Sequence, residues 1–529
     1  EKGLLLKLQP ITHSYPHDWR TKKPVIFRAT PQWFASIDPI KNEILEQIHK
    51  VKWNPTWGDT RISNMIRDRH DWCISRQRAW GVPIPVFYCE DGESILDPVV
   101  IEHVAQIFDE FGSNEWFKRE AKDLLPEGYS NPHSPNGIFK KEMDIMDVWF
   151  DSGSSHTGAM IARGLGYPAD LYFEGSDQYR GWFNSSLIVS TAVNGTAPYK
   201  EVLSHGYVVD SKGEKMSKSV GNVVNPMDII NVNGADVFRL WAMTSDFKED
   251  LKLGPSNIKQ VSDQYRKIRN TFRFLLGNIN ANDFDPKKDM VAYDDLTAVD
   301  QYILVKLNDV VKEVRKDCEE YDYVDTSKVL MNFMVNELSS YYCDFTKDIL
   351  YCNALNDTRR RQVQTVYWKC LDALVKLWAP FLCYTTEEVW MHFNNDEAES
   401  VHYCHFPAVE SYANADALKE EFASLLDVRT DVMKALEESR NAKTIGTAQE
   451  AEVQLTVCEE DADKLSEGLN GSLAQWLIVS KATVEVGTER NVKVVKATGT
   501  KCPRCWNYST EADENGLCPR CQAVMEAEK

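Results

Sequence analysis

The chain has 529 residues, 43% of them apolar and 11% aromatic, and a formal net charge of −20. That apolar content is enough for real cores, and the length predicts roughly three or four domains. No run of ~18 apolar residues occurs, so no membrane span is expected. The acidic total excludes a protein coated in basic surface but leaves room for local basic patches.

No secretory signal opens the chain, and its first residue is Glu1 rather than Met. Glu1-Lys2-Gly3-Leu4-Leu5-Leu6 reads like the middle of a domain, so the chain is expected to be the C-terminal part of a longer protein. Residues 1–45 mix short apolar runs with His13, His17 and Trp19 and turn helical after Pro39. Residues 46–200 are rich in Trp, Gly and Pro with short strand-like runs, which predicts α/β structure. Within them, 100–145 forms a more polar insertion, and Asn131 to Gly137 has loop chemistry.

Residues 171–210 form the clearest unit. Leu171-Tyr172-Phe173 reads as a short buried strand, and Glu174-Gly175-Ser176-Asp177 as a loop whose Ser or Asp caps a helix. Gln178 to Val193 is the predicted helix, with Trp182, Phe183, Leu187 and Ser190 on one face, ended by Asn194-Gly195. Val202-Leu203 and Tyr207-Val208-Val209 follow as strand. Ligands of such a βαβ unit lie beyond the C-terminal strand ends, which puts Glu174, Asp177 and Gln178 at a site.

Lys215-Met216-Ser217-Lys218-Ser219 lies in the next segment, 201–255, between Gly213 and Gly221-Asn222. Two ammonium groups on a short polar loop suit a group whose negative charge grows during reaction, and phosphate is the usual one.

From 256 to 440 the pattern becomes long helices. Tyr265, Ile268, Phe272, Leu275, Leu276 and Ile279 recur at three- and four-residue steps, as do Ile303, Leu307, Val310, Val311, Val314 and Cys318. A further helix runs from Arg359 to Trp378, and Thr385 with Glu388 has capping-box spacing for the next. Arg359-Arg360-Arg361 is one candidate basic patch, and Arg266, Lys267, Arg269 and Arg273 are another; each reads equally well as a solvated helix face. Residues 441–498 form a small junction in which Glu452 to Val457 alternates as a strand does.

Nine of the thirteen cysteines are scattered singly among apolar neighbours, as buried thiols in a reducing compartment are. The other four form Cys502-Pro503-Arg504-Cys505 and Cys518-Pro519-Arg520-Cys521 within the separate segment 499–529. Each pair can wrap a metal in a tight turn, and two pairs complete a closed tetrahedral Cys₄ site, so one structural zinc with no catalytic position is expected. Zinc binding supplies the folding energy of a segment with so little core. Arg504, Arg520 and Trp506 read as available to nucleic acid, although Glu511, Asp513 and Glu514 keep the segment from being a basic tail.

The five residues at 215–219 match the KMSKS signature of class I aminoacyl-tRNA synthetases. Glu174 to Phe183, Ser204-His205-Gly206, Asp71 to Gly81, Asp147 to Gly153 and Ser14 to Arg20 each resemble segments of isoleucyl-tRNA synthetases. The similarity spans essentially the whole chain and is strongest to bacterial isoleucyl enzymes that end in a Cys₄ ribbon. The fold it implies is α/β and α: the second half of a Rossmann-like nucleotide-binding fold, an anticodon-binding helical bundle and a zinc ribbon. The segments then read as return from the editing insertion (1–45), second half of the catalytic domain (46–200), KMSKS loop and stem-contact region (201–255), bundle (256–440), α/β junction (441–498) and ribbon (499–529). The family's other signature, His-Ile-Gly-His, is absent from the sequence, as is most of an editing domain, so the chain alone is not expected to activate isoleucine.

The resemblance implies ATP-dependent formation of isoleucyl-adenylate and transfer of isoleucine to tRNA(Ile), with Mg accompanying ATP. Lys215 and Lys218 are the expected catalytic cations, with Lys218, Ser217 and His205 contacting ATP. Glu174, Asp177, Gln178, Trp182 and Trp149 are expected around the aminoacyl-adenylate, the two tryptophans walling the isoleucine pocket. Trp182 and Trp149 read alternatively as ordinary core, His205 as hydrogen-bonded structure and Asp177 as a plain helix cap. A cytoplasmic protein, monomeric at full length, is implied. The alternatives are a valyl or leucyl enzyme, or a non-catalytic tRNA-binding fragment; a P-loop nucleotidase is excluded because no GxxxxGK[ST] occurs.

Overall fold

The computed structural model describes residues 3–18, 21–218, 220–393, 395, 397–467, 469 and 472–527. Glu1, Lys2, Trp19, Arg20 and Ser219 lie outside the described residues. The chain divides into two compact units, Glu1–Gly206 and Tyr207–Lys529.

The first unit is organised by a parallel βαβ. Strand Ala169–Gly175 leads through a 3₁₀ turn, Ser176–Arg180, into helix Trp182–Asn194 and back to strand Tyr199–His205. The strands pair in parallel from Tyr199↔Ala169 to His205↔Gly175, and Lys52–Asn54 adds a third parallel strand on the far side of Tyr199–His205. The helix is buried all round from Phe183 to Thr191 rather than along one face, because it fills the interior of the unit. Ile62, Ile66, Tyr172, Phe183, Leu187 and Val202 pack in that core. Phe173, expected inside, is exposed, since Tyr172 before it takes the inward side of the strand and alternation turns Phe173 outward.

Neither Ser176 nor Asp177 caps the helix. Gly181 is the capping residue, and the Gln178 side-chain oxygen accepts from the Trp182 N–H at 2.9 Å. The segment expected as a polar insertion is a small folded module. Strands Phe87–Tyr88, Ser94–Ile95 and Lys140–Lys141 form a sheet with Phe87–Tyr88 in the middle, and helix Pro98–Phe111 packs on it. Phe87, Val100, Val104, Trp116 and Leu124 give the module a core of its own.

In the second unit Val208–Val209 does not extend the βαβ sheet; it pairs in parallel with Leu251–Lys252. The helices Pro255–Asn278, Ala298–Glu319, Thr358–Trp378 and Ala415–Asn441 form a bundle whose core includes Phe272, Ile303, Val314, Trp378 and Phe422. Helix Cys383–His392 begins three residues earlier than capping-box spacing predicts. Its first turn is held from another helix: the buried Asp236 carboxylate accepts from the Thr385 N–H at 2.7 Å and the Thr385 hydroxyl at 2.6 Å.

Arg359-Arg360-Arg361 is neither a basic patch nor a solvated face. Arg359 forks onto Asp300, which is fully buried and also accepts from the Tyr342 hydroxyl. Arg360 forks onto Asp283 at 2.6 and 2.5 Å, and Arg361 lies 3.6 Å from the same carboxylate. Buried guanidinium groups persist only when paired in this way. Arg266, Lys267, Arg269 and Arg273 are exposed, with Arg266 paired to Asp263 and Arg269 to Glu388. The junction is a three-stranded sheet with Ala451–Val457 between Lys481–Val486 and Asn491–Lys496.

Candidate functional site

The residues expected around an adenylate lie at the C-terminal end of strand Ala169–Gly175 and in the turn that follows. Glu174 and Asp177 are exposed and Gln178 is half-buried. The Gln178 amide spans the turn, its nitrogen donating to Asp177 Oδ2 at 3.2 Å and its oxygen accepting from Trp182. Two glycines let these groups converge. A Cβ on Gly175 would sit 2.8 Å from Asp177 Oδ1 and 3.6 Å from His205 Cε1; one on Gly181 would sit 2.5 Å from Gln178 Oε1 and 2.7 Å from the Trp149 ring. Asp177 and His205 thus close in on Gly175, and Gln178 and Trp149 close in on Gly181.

His205 ends the neighbouring strand. Its Nδ1 hydrogen-bonds the Gly206 carbonyl at 2.7 Å and its ring meets Phe173 edge-on. Trp182 is partly buried and stacks on Tyr172 with centroids 4.0 Å apart. Its indole N–H donates to the Ser152 carbonyl and the Ser155 hydroxyl at 3.0 and 3.1 Å. Those contacts commit Trp182 to the wall beneath the turn, whereas Trp149 keeps 41% of its surface exposed.

Trp149 faces a cavity of about 830 Å³ that Arg76, Arg78, Trp80 and Asp151 also line. The sequence reading missed Asp147, the residue that organises this wall. Buried, it accepts from the Trp72 indole N–H and from Arg76, each at 3.0 Å, and from the Trp149 N–H at 3.3 Å as helix cap. An Asp just before a Val-Trp helix start is the signal that could have found it. Burial, and then the Asp147 charge, raise the Asp151 carboxyl above its usual range.

In the second unit, Lys215 and Lys218 are exposed on their loop and Met216 between them is half-buried, packed against the apolar core. Met216 thereby anchors the loop while the ammonium groups stay in solvent. The Lys215 backbone bridges to Val209. The Ser217 N–H donates to Asn222 Oδ1 at 2.9 Å, and the Ser217 hydroxyl accepts from the Val220 N–H.

The thiol sulfurs of Cys502, Cys505, Cys518 and Cys521 all lie within 4.8 Å of one another, the one group of this kind among the described residues. All four are at most 8% exposed, and the donor set fits a closed tetrahedral zinc. Burial works to raise the Cys502 thiol, but backbone N–H groups of Cys505, Cys518 and Arg504 outweigh it and hold it at about 6, whereas burial pushes the Cys505 and Cys521 thiols up. The arginines inside the two cysteine pairs are engaged with the helical bundle. Arg520 pairs with Asp348, and Arg504 donates to the Cys352 carbonyl and lies 3.8 Å from the Cys521 sulfur. Trp506 remains 61% exposed.

The family described as class I tRNA synthetases (I, L, M and V) matches residues 16–254, the anticodon-binding domain of tRNA ligases matches 300–455, and the zinc finger of FPG and IleRS matches 499–524. The isoleucine–tRNA ligase of Lactiplantibacillus plantarum is 50% identical over 99% of this chain and 57% of its own length. That of Bacillus licheniformis is 52% identical over 99% of this chain and 58% of its own length. The chain therefore spans less than two thirds of the length of these curated relatives. Among solved structures, Mycobacterium tuberculosis methionyl-tRNA synthetase in complex with methionyl-adenylate superposes with a TM-score of 0.50 at 16% identity, covering 71% of this chain and 65% of that one. That likeness concerns the fold alone.

Proposed function

We propose that the chain belongs to the isoleucyl branch of the class I tRNA synthetases and carries part of an isoleucine–tRNA ligase. The observation that carries the proposal is the pair of exposed ammonium groups, Lys215 and Lys218, on a loop pinned to the core through Met216.

In the first step the isoleucine carboxylate oxygen attacks the α-phosphorus of ATP. The bond from that phosphorus to the β-phosphate oxygen breaks, and pyrophosphate leaves. Charge accumulates on phosphoryl oxygens, so cations that engage the transition state more strongly than the ground state are what accelerate it. Lys215 and Lys218 take that role, with Lys218 the closer to ATP and Ser217 orienting a phosphate. Mg accompanying ATP supplies further neutralisation of the phosphates. In the second step a ribose hydroxyl of tRNA(Ile) attacks the adenylate carbonyl and AMP departs.

Glu174 and Asp177 supply carboxylates for the substrate ammonium or ribose hydroxyls, Gln178 orients, and His205 meets the nucleoside. Trp149 walls the isoleucine side chain and Trp182 backs it. Discrimination by such a wall is limited, since one methylene in an apolar pocket is worth only ~1–3 kcal/mol, a figure for which isoleucyl enzymes themselves are the standard example. The bundle binds the tRNA anticodon arm, and the zinc at Cys502, Cys505, Cys518 and Cys521 is structural. We propose a cytoplasmic protein, monomeric at full length.

The test is isoleucine-dependent exchange of pyrophosphate into ATP, measured on the chain completed to the length of its relatives. Lys218→Ala is expected to lower the rate ~10²–10³-fold, as loss of one preorganised charge donor does. Exchange equal with valine, or indifferent to Lys218→Ala, would overturn the assignment.

A further inference from the structure

The loop that carries Lys215 and Lys218 is closed on itself by one side chain. The Asn222 amide oxygen accepts from the Ser217 N–H at 2.9 Å, and its nitrogen donates to the Lys215 carbonyl at 3.3 Å. These are the two backbone groups that flank Met216. The same nitrogen donates to Asp210 Oδ2 at 2.9 Å. Only one orientation of the amide satisfies all three partners, since one is a donor and two are acceptors.

Asp210 is itself fixed. Its Oδ1 accepts from the Lys212 and Glu214 N–H groups at 2.9 and 2.8 Å, an arrangement that closes the turn at Gly213. Bonds from Asn222, and then from the Glu214 and Lys212 backbone, hold the Asp210 carboxyl below its usual range, so it stays an ionised acceptor. Asp210 and Asn222 thus join the two ends of the loop across twelve residues of chain and grip its middle.

We propose that Asn222, oriented by Asp210, is the clasp that sets the approach of the Lys215 and Lys218 ammonium groups to the phosphates. Both are positioning residues: neither touches substrate, and each acts through the loop. The proposal rests on reading the loop as a phosphate-binding element. A long lysine side chain has wide reach, so a loop free to wander would place the charge correctly only part of the time. Small misplacements of such groups cost up to ~10²-fold in rate. The clasp restrains the backbone at Lys215 and Ser217 and leaves the ammonium groups mobile.

Two measurements test this. Trypsin cuts after Lys215 and Lys218 only when the loop leaves its fold, so Asn222→Ala should speed cleavage at these sites by ~10-fold with the rest of the digest unchanged. In isoleucine-dependent pyrophosphate exchange, Asn222→Ala should lower kcat ~10–100-fold and move the KM for ATP less. The exchanged double variant Asp210→Asn/Asn222→Asp keeps a donor facing an acceptor across the loop and should recover part of both effects. A merely structural role would not yield to that exchange. Unchanged cleavage and exchange in Asn222→Ala, or a double variant no better than the single one, would overturn the clasp. Lys218→Ala in the same assay separates the layers: if it too leaves exchange at the wild-type rate, the phosphate reading itself fails.

Discussion

Arg520, inside the second cysteine pair, forks onto the Asp348 carboxylate of bundle helix Cys343–Cys352, with nitrogen–oxygen distances of 2.5 and 2.9 Å. Arg504, at the matching place in the first pair, donates to the carbonyl of Cys352 on the same helix. The two identical Pro-Arg interiors therefore dock the ribbon on one short helix. Removing Asp348 should weaken that docking by about 1.5–3 kcal/mol, the range for a hydrogen bond to a charged group. Asp348→Ala is expected to keep one zinc per chain yet show faster amide exchange across residues 499–527. Burial works to raise the Asp348 carboxyl, but Arg520 outweighs it and holds the group below the usual range. The docking energy is thus present above pH ~4 and is lost as pH falls through the depressed folded value.

The Arg360–Asp283 fork ties helix Thr358–Trp378 to the segment after Pro255–Asn278, and both side chains are largely buried. Arg360→Ala leaves that carboxylate with weaker partners and should cost about 3 kcal/mol in urea unfolding. A loss under ~0.5 kcal/mol would place the pair among surface bridges that contribute little.

Asp236→Ala removes three acceptances at the start of helix Cys383–His392, from the N–H groups of Tyr384 and Thr385 and the Thr385 hydroxyl. Side-chain caps are worth about 0.5–2 kcal/mol, and this buried one belongs at the upper end. Amide exchange should rise in residues 383–387 before it rises elsewhere in the bundle.

Asp317 is 4% exposed, and one of its carboxylate oxygens has no hydrogen-bond partner. Burial, and then the Glu313 charge, push its carboxyl up to about 6. A folded value above the unfolded one means stability that is complete below pH ~4 and declines as pH rises through about 6. Asp317→Asn should therefore stabilise the protein by about 1–2 kcal/mol at pH 8 and by almost nothing at pH 4, read as paired thermal melts.

The parts legible in the sequence were those encoded by neighbours. The strand–helix–strand at 169–205 announces itself through period and a terminal glycine, and the ribbon through the spacing of its cysteines. What escaped depends on partners far along the chain. Three consecutive arginines look like a basic patch until Asp283 and Asp300 arrive from 77 and 59 residues away. Thr385 looks like a cap because its true anchor, Asp236, is 149 residues distant. The clasp was missed for a different reason. Asp210 and Asn222 are close in sequence, but Asp and Asn beside glycines are what any surface loop contains, and only the folded chain decides which amide group meets which backbone atom.

The module between Val86 and Glu142 enters and leaves the first unit at one point, where the Glu142 N–H donates to the Val86 carbonyl at 2.9 Å. Its core is its own, and it meets the rest of the unit through Ser113, Asn114 and Phe117 on the cavity wall and through Tyr88 against Trp33. Away from those contacts evolution can lengthen or trim such a piece without retuning the βαβ beneath. An engineer has the same freedom: the tip near Asp91 and His133 is a natural place to splice in a fluorescent reporter.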